Sequence, residues 1–397
     1  MLKTQNPARH ADRTAFPLGQ FGAISRSNPR SHVSANARPN RSRSSAASDQ
    51  SANQAANSPG QTHDPDRQDA SAVRGRRRWI LGLALLVVLG AGAVWSQFPF
   101  RRRVAAAAVD TPLDERRAFQ YLEAICKLGP RPSGSAAMIQ QQQMLEQHFR
   151  QHGAVVERQS FDIRHPVDGS RVTMTNLIAR WFPDRQDRVV LCCHYDTRPF
   201  PDQDRRQPRG VFVGANDGAS GAALFSELAH HLPNLPTKVG VDLVLFDGEE
   251  FIFPRTNEDD YFLGSTHFAR DYVGRPPAFR YRSGVLVDMI GDKELQLYYE
   301  RNSMRLAKPV CQEIWQVARR LKLDDFVART RHEVRDDHLA LNEIAKIPTC
   351  DLIDFDYPRP GLTGSYWHTT EDTPDKCSGE SICKVGWVLL EFLKQQK

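Results

Sequence analysis

The chain has 397 residues and a formal net charge of +6, a length that leaves room for two or three domains. The charge is unevenly spread: residues 1–78 carry 13 Lys+Arg against 5 Asp+Glu, Arg101–Arg103 add three cations, and residues 104–397 hold 37 basic and 42 acidic side chains. The excess positive charge therefore belongs to the tail, it gives no sign of a nucleic-acid surface on the remainder, and no nucleic-acid partner is expected.

Residues 1–78 are rich in Ser, Ala, Asn, Gln, Arg and Pro and show almost no aliphatic pattern. Such a segment cannot bury enough apolar surface to offset the entropy of ordering it, so it reads as a disordered basic tail. Trp79 to Phe98 carries no charge and is long enough to cross a bilayer at about 1.5 Å per residue. Arg74 and Arg76–Arg78 precede it, Arg101–Arg103 follow it, and Trp79 and Trp95 sit where interfacial anchors belong. The expectation is one transmembrane helix over 79–98, with a cleaved signal peptide as the alternative, disfavoured by the long tail before it. Residues 99–110 read as a linker. Orientation is weakly encoded by four arginines before the span and three after it. The expected arrangement is a single-pass membrane anchor with the folded part on the extracytoplasmic side.

From residue 111 the pattern is that of a globular domain running to 397. Apolar spacing predicts helices over Leu113–Leu128 and Ala136–His152, separated by a loop at Gly129–Gly134. Strand-like runs follow at Val155–Ile163, Val172–Trp181 and Val189–Cys193. A helix is predicted over Ala219–Leu232, a strand over Val241–Phe246, a helix near Ser265–Tyr272 and a strand over Gly284–Ile290. The remaining expectations are a strand near Leu295–Tyr299, a helix over Met304–Leu321, a short helix near His338–Ala345, a strand over Thr349–Phe355 and a last helix over Ser381–Lys394. Early strands adjoin one another and later ones alternate with helices. That favours an α/β fold with a mixed, mostly parallel central sheet and helices on both faces. Strands 189–193 and 241–246 are almost wholly apolar, as central strands covered on both sides should be.

Seven cysteines occur without a Cys-x-x-Cys pair, so neither a zinc ribbon nor a thioredoxin-like motif is indicated. The odd number leaves at least one thiol free, and Cys377 with Cys383 is a candidate disulfide.

The informative polar residues stand where apolar strands end. Val189–Cys193 runs into His194, Tyr195 and Asp196; Asp217 stands just before a helix; Val241–Phe246 runs into Asp247, Gly248, Glu249 and Glu250; Gly284–Val287 runs into Asp288; and His368 follows the strand near 349–355. In open α/β sheets, sites gather at the carboxyl ends of strands. Two histidines and several carboxylates in such positions suit a divalent metal of the zinc type. Each has a plainer reading: Asp217 as a helix cap, Glu249 and Glu250 as a solvated turn, His368 as a hydrogen-bonded loop residue, Asp288 as half of a salt bridge. Adjacent acids at the end of an apolar strand would repel unless something positive neutralised them, which weakens those readings together. His194 and Asp196 lie on one face of an extended chain, so Asp196 is expected to orient the imidazole. Adjacent Glu249 and Glu250 suggest one metal ligand and one proton carrier.

In this order, His-x-Asp, Asn-Asp-Gly-Ala-Ser-Gly, Asp-Gly-Glu-Glu, a strand-end Asp and His-Thr-x-x-Asp resemble the zinc aminopeptidase superfamily, over most of residues 113–397. The resemblance implies a three-layer αβα sandwich. For a two-zinc aminopeptidase it implies His194, Asp217, Glu250, Asp288 and His368 as ligands, Asp217 as the bridge and Glu249 as general base. Trp367 before His368, the Arg335-Asp-Asp-His-Leu339 segment and the insertion Phe251–Phe262 resemble the glutaminyl-peptide cyclotransferase branch. That likeness implies one zinc on Asp217, Glu250 and His368, Glu249 as proton shuttle, Asp288 and Asp337 in a hydrogen-bond network with it, and Trp367 against the substrate. The substrate implied is a peptide or protein with a free N-terminal glutamine, closed to pyroglutamate with loss of ammonia. Asn216–Gly221 looks more like the aminopeptidase version, and Arg255 stands near a position where animal cyclases carry tryptophan. A cyclase, a two-zinc aminopeptidase and a non-catalytic binding module on the same fold stay open on sequence, the cyclase being the leading reading.

Overall fold

In the computed structural model, residues 111–396 are described except for 255, 258–259 and 359–364. The expected tail, transmembrane segment and linker lie outside the described residues. So does Arg255. Among the described residues no helix is long and apolar enough to cross a membrane.

A central six-stranded sheet is formed by β1 (Val155–Arg164), β2 (Arg171–Trp181), β3 (Asp187–His194), β4 (Gly240–Phe246), β5 (Arg280–Asp288) and β8 (Thr349–Ile353). The strand order is β1-β2-β4-β3-β5-β8. β1 and β2 form an antiparallel hairpin and β2 runs antiparallel to β4, whereas β4, β3, β5 and β8 are mutually parallel. Every residue of β4 is buried, and in β3 all but Asp187, as the unbroken apolar runs required. A small parallel pair, β6 (Leu297–Tyr299) with β7 (Phe326–Thr330), lies apart from this sheet.

Helices cover both faces. On one face Val190, Cys192, Val244, Phe246 and Leu286 pack with Phe268 and Ala269 of α4 (Leu263–Gly274) and Ala340 and Leu341 of α7 (His338–Glu343). By strand alternation Cys193 and Val287 point to the other face. There α3 (Ala219–Leu228) sits so close that a Cβ on Gly221 would stand 2.6 Å from Cys193 Cβ. α1 (Glu115–Cys126) and α8 (Gly379–Gln395) pack against α3, and α2 (Ala136–Gln151) covers β1 and β2. The helix expected over 304–321 is two helices, α5 (Arg301–Leu306) and α6 (Lys308–Arg320), divided at Ala307. Pro309 accounts for the break: it lacks an amide proton and fits only the first turn of a helix. β7 was not anticipated. All seven cysteines are free and buried, so the candidate disulfide between Cys377 and Cys383 does not form.

At the N-terminal end of the parallel strands, Arg188 is fully buried and paired with Asp242. It also donates to the carbonyls of Trp181, at 2.9 Å, and Phe182, at 2.8 Å. A buried ion pair contributes little over an apolar filling, but losing one partner strands the other charge. Asp242→Ala is therefore expected to destabilise the domain by about 3–5 kcal/mol, read as a lower urea midpoint at unchanged slope.

Candidate metal and catalytic site

The opposite end of the same strands gathers the polar residues. β3 ends in His194, and the chain returns through Asn216, Asp217 and Gly218 into α3. Gly218 has φ 94°, and a Cβ there would lie 2.5 Å from the Asp196 carbonyl oxygen. Only glycine permits this turn. Asp217 does not cap α3: the cap position is Gly218, with no side-chain bond. The Asp217 carboxylate is instead free to face the site. Its backbone is fixed from behind by Asp372, whose carboxylate accepts the amides of Asn216 at 2.8 Å and Asp217 at 3.1 Å and the Tyr357 hydroxyl at 2.8 Å. Burial pushes the Asp372 carboxyl up to about 7.

Two clusters share Asp217. His368 Nε2 lies 3.1 Å from Glu250 Oε1 and 3.3 Å from Asp217 Oδ2. His194 Nε2 lies 3.2 Å from Asp217 Oδ1 and 3.1 Å from Asp288 Oδ1. In each cluster the donor atoms all lie within 4.8 Å of one another. Four ligands at 2.0–2.1 Å around tetrahedral zinc are separated by roughly 3.3 Å. Asp217 Oδ2 is buried without a hydrogen-bond partner. The donor chemistry, the spacing and that orphaned oxygen fit a zinc-type cation at Asp217, Glu250 and His368. The spacing and donors at His194, Asp217 and Asp288 fit a second.

Glu249 and Glu250 follow β4 and are both buried, at 8% and 4% exposure, which removes the solvated-turn reading. Asp196 accepts their backbone amides, at 3.3 Å for Glu249 and 3.0 Å for Glu250. The same carboxylate stands 3.7 Å from His194 Nδ1 as an ion-pair neighbour, so Asp196 serves the Glu249–Glu250 turn as well as the imidazole beside which it was expected. The two glutamates diverge electrostatically. Burial, reinforced by the neighbouring Glu250 charge, holds Glu249 well above the usual carboxylate range. Burial opposes ionisation of Glu250 too, but the charges of His368 and Arg198 outweigh it and hold Glu250 well below that range.

Arg198 was not foreseen. It is buried, ion-paired to Glu250 and to Asp202, and donates through Nη2 to Asp202 Oδ2 at 3.1 Å and to Tyr261 Oη at 3.0 Å. Asp202 in turn stands 3.5 Å from His368 Nδ1. The available signal was a lone cation four residues after the strand-end histidine. His368 adopts a left-handed backbone with φ 54°, and its ring stacks on Trp367 at 3.8 Å between centroids. Such strain persists only where the surroundings hold the residue in place.

These groups floor a cavity of about 330 Å³, walled by Tyr261, Phe262, Phe355 and Trp367. Glu249, Asp288 and Asp336 all reach it. Asp337, expected beside Glu249, does not line the cavity: it is fully buried at the start of α7. The two neighbours project differently as the chain turns into that helix, and it is Asp336 that borders the cavity and contributes most, of the pair, to the raised Glu249. The expected insertion supplies Tyr261 and Phe262 to the wall, while residues 359–364, before Trp367, lie outside the described residues.

Comparison with known proteins agrees with this arrangement. Residues 176–393 match the model of peptidase family M28. The crystal structure of a glutaminyl cyclase from Fimbriiglobus ruber superposes with a TM-score of 0.68 at 45% identity, covering 72% of this chain and 96% of that one. A Zn-dependent exopeptidase from Parabacteroides distasonis superposes with a TM-score of 0.66 at 28% identity, covering 73% of this chain and all of that one. The glutaminyl-peptide cyclotransferase of Gloydius blomhoffii is 28% identical over 275 residues, which is 61% of this chain and 70% of the relative. The chain belongs to peptidase family M28. Within that class its relatives include glutaminyl cyclases, from bacteria and from animals.

Because Asp372 holds the Asn216–Asp217 backbone, Asp372→Ala is expected to weaken zinc binding by about 10- to 100-fold while leaving the ligands themselves in place. Competition against a chelator of known affinity measures this.

Proposed function

We propose that this chain is a zinc-dependent glutaminyl-peptide cyclotransferase, closing the N-terminal glutamine of a peptide or protein to pyroglutamate with release of ammonia. The observation that carries the reading is the 45% identity to the Fimbriiglobus ruber glutaminyl cyclase, spanning 96% of that structure. The site supports it: a small cavity, an aromatic wall, and two adjacent glutamates of opposite electrostatic character.

Asp217, Glu250 and His368 would hold one zinc ion. When bound there, zinc supplies Lewis-acid polarisation of the substrate γ-carbonyl. Trp367 and Phe355 would flank the glutaminyl side chain. The α-amine nitrogen would bond to the carbonyl carbon of the side-chain carboxamide, and the bond from that carbon to the amide nitrogen would break. Glu249 takes one proton from the attacking amine and delivers it to the departing nitrogen, which leaves as ammonia. Burial and the neighbouring Glu250 charge raise the proton affinity of Glu249, which supports its role as the proton carrier. Asp288 and Asp336 border the same cavity, and we assign to Asp336 the supporting position that sequence gave to Asp337. No water enters the balance, so exclusion of water by the aromatic wall suppresses competing hydrolysis.

A two-zinc aminopeptidase is the second reading. The His194–Asp217–Asp288 cluster favours it, because every donor of a second site is within reach. We further propose that residues 79–98 anchor the protein in a membrane with the catalytic domain on the extracytoplasmic side. This rests on the uncharged span and its arginine and tryptophan flanks.

The zinc-loaded protein offered a glutaminyl peptide is expected to release ammonia without shortening the peptide, and to leave a leucyl arylamide intact. Release of arylamine would move the assignment to the aminopeptidase. Glu249→Gln is expected to retain its zinc and lose roughly 100- to 10,000-fold in turnover; metal loss in that variant would mean that the roles of Glu249 and Glu250 are exchanged. For topology, protease added outside intact cells should remove the catalytic domain and spare the N-terminal tail, and a protected domain would refute the orientation.

A further inference from the structure

Outside the cavity lining, three histidines meet. His148 and His152 stand one turn apart near the end of α2, and His230 follows α3. Their ring centroids lie 4.4 Å apart for His148–His152, 4.1 Å for His152–His230 and 5.6 Å for His148–His230. One ring nitrogen from each lies within 4.8 Å of the other two. His152 and His230 are half-buried, so an ion in solution can reach them, while His148 forms the buried floor. We propose that His148, His152 and His230 form a second metal site, for a divalent transition metal of the zinc class, remote from the catalytic cavity.

Each imidazole turns its other nitrogen to an oxygen, and this orders the lone pairs. His148 Nε2 lies 2.8 Å from the Ser226 carbonyl and His152 Nδ1 lies 2.9 Å from the His148 carbonyl. A carbonyl only accepts, so His148 carries its proton on Nε2 and His152 on Nδ1. Their lone pairs are then at Nδ1 of His148 and Nε2 of His152. His230 Nε2 is 2.7 Å from Tyr121 Oη, and its Nδ1 is 3.2 Å from His152 Nε2. That last separation matches the roughly 3.3 Å between two ligands of one tetrahedral zinc ion. Oxygen partners on the outer nitrogens are what metal-binding histidines have, since they fix tautomer and ring orientation.

Without metal, the tyrosine hydroxyl donates to His230 Nε2, and His230 Nδ1–H donates to His152 Nε2. With metal, His230 shifts its proton to Nε2 and donates to the tyrosine oxygen, which frees Nδ1 to ligate. Burial lowers His148 and His230 to about 4, which favours the neutral rings that ligate a metal. The nearest cation, Arg117, is neutralised by Glu227 at 2.6 Å. Three imidazoles with a fourth position open to water suit zinc, copper(II) or nickel(II) better than calcium or magnesium, which prefer oxygen. A metal here would clip the end of α2 to the end of α3, raising stability in proportion to occupancy.

The test uses untagged full-length protein already loaded at its catalytic site. It is equilibrated with micromolar Zn²⁺ and its zinc content is counted for wild type, His152→Ala, His230→Ala and the neighbouring control His231→Ala. The expected result is one zinc fewer per chain in the first two variants, none lost in the control, and unchanged catalytic turnover. A zinc-dependent rise of several degrees in Tm should be seen in wild type and His231→Ala and be missing from the other two. Equal zinc contents across the series, or a Tm rise that survives in both variants, would overturn the proposal. Should either alanine variant fail to fold in chelator, His152→Gln keeps a polar group at the half-exposed position and reads the same loss.

Discussion

The constraint on which this molecule turns is the crowding of carboxylates at the ends of four parallel strands. Asp217, Glu249, Glu250, Asp288 and Asp336 all border one small cavity; all are buried except Asp288, which is partly exposed. Charges of one sign at such proximity are tolerated only if some are protonated, some are paired and some bind a cation. Each solution is visible. Arg198 neutralises part of Glu250, burial keeps Glu249 above its usual range, and the shared donors around Asp217 fit a metal. Chemistry follows from that division, since a ligand and a proton carrier can be adjacent residues only when their surroundings differ this much.

A second set of buried acids does no chemistry but sets the positions of the first. Asp196 gathers the amides of the glutamate pair, and Asp372 those of Asn216 and Asp217. Asp247 accepts the Ser133 hydroxyl at 2.6 Å and the Thr175 amide at 2.8 Å, and burial raises it to about 8. These acceptors satisfy backbone amides of the loops and of β2, and the Ser133 hydroxyl. They explain how irregular chain between strands and helices can be buried and still hold side chains to fixed places.

The sheet and most of the candidate ligands were legible because the signals were local. An unbroken apolar run that stops at a histidine or an acid marks both a central strand and the end of it. His194 and Asp288 stand at such stops and Glu250 closely follows one, whereas Asp217 opens a helix and His368 lies well beyond its strand; the structure brings all five together. What escaped depended on direction rather than composition. Asp336 and Asp337 are the same residue type side by side, and only the turn into α7 decides which one borders the cavity. Arg198 and Asp202 sit on an irregular loop with no periodicity to announce burial, and their value appears only once Glu250 and His368 fold against them. β7 is five residues, three of them exposed, and carries no core pattern. The cysteines offered a candidate crosslink, yet all seven are free thiols buried inside the protein.

The stacking of Trp367 on His368 has a spectroscopic side. An indole in face contact with an imidazole loses excited-state energy to it when that ring becomes cationic, and much less when the ring's lone pair is engaged. The emission of this one side chain is thus coupled to whatever His368 holds, proton or ion, so the protein carries its own optical gauge of the state of its centre.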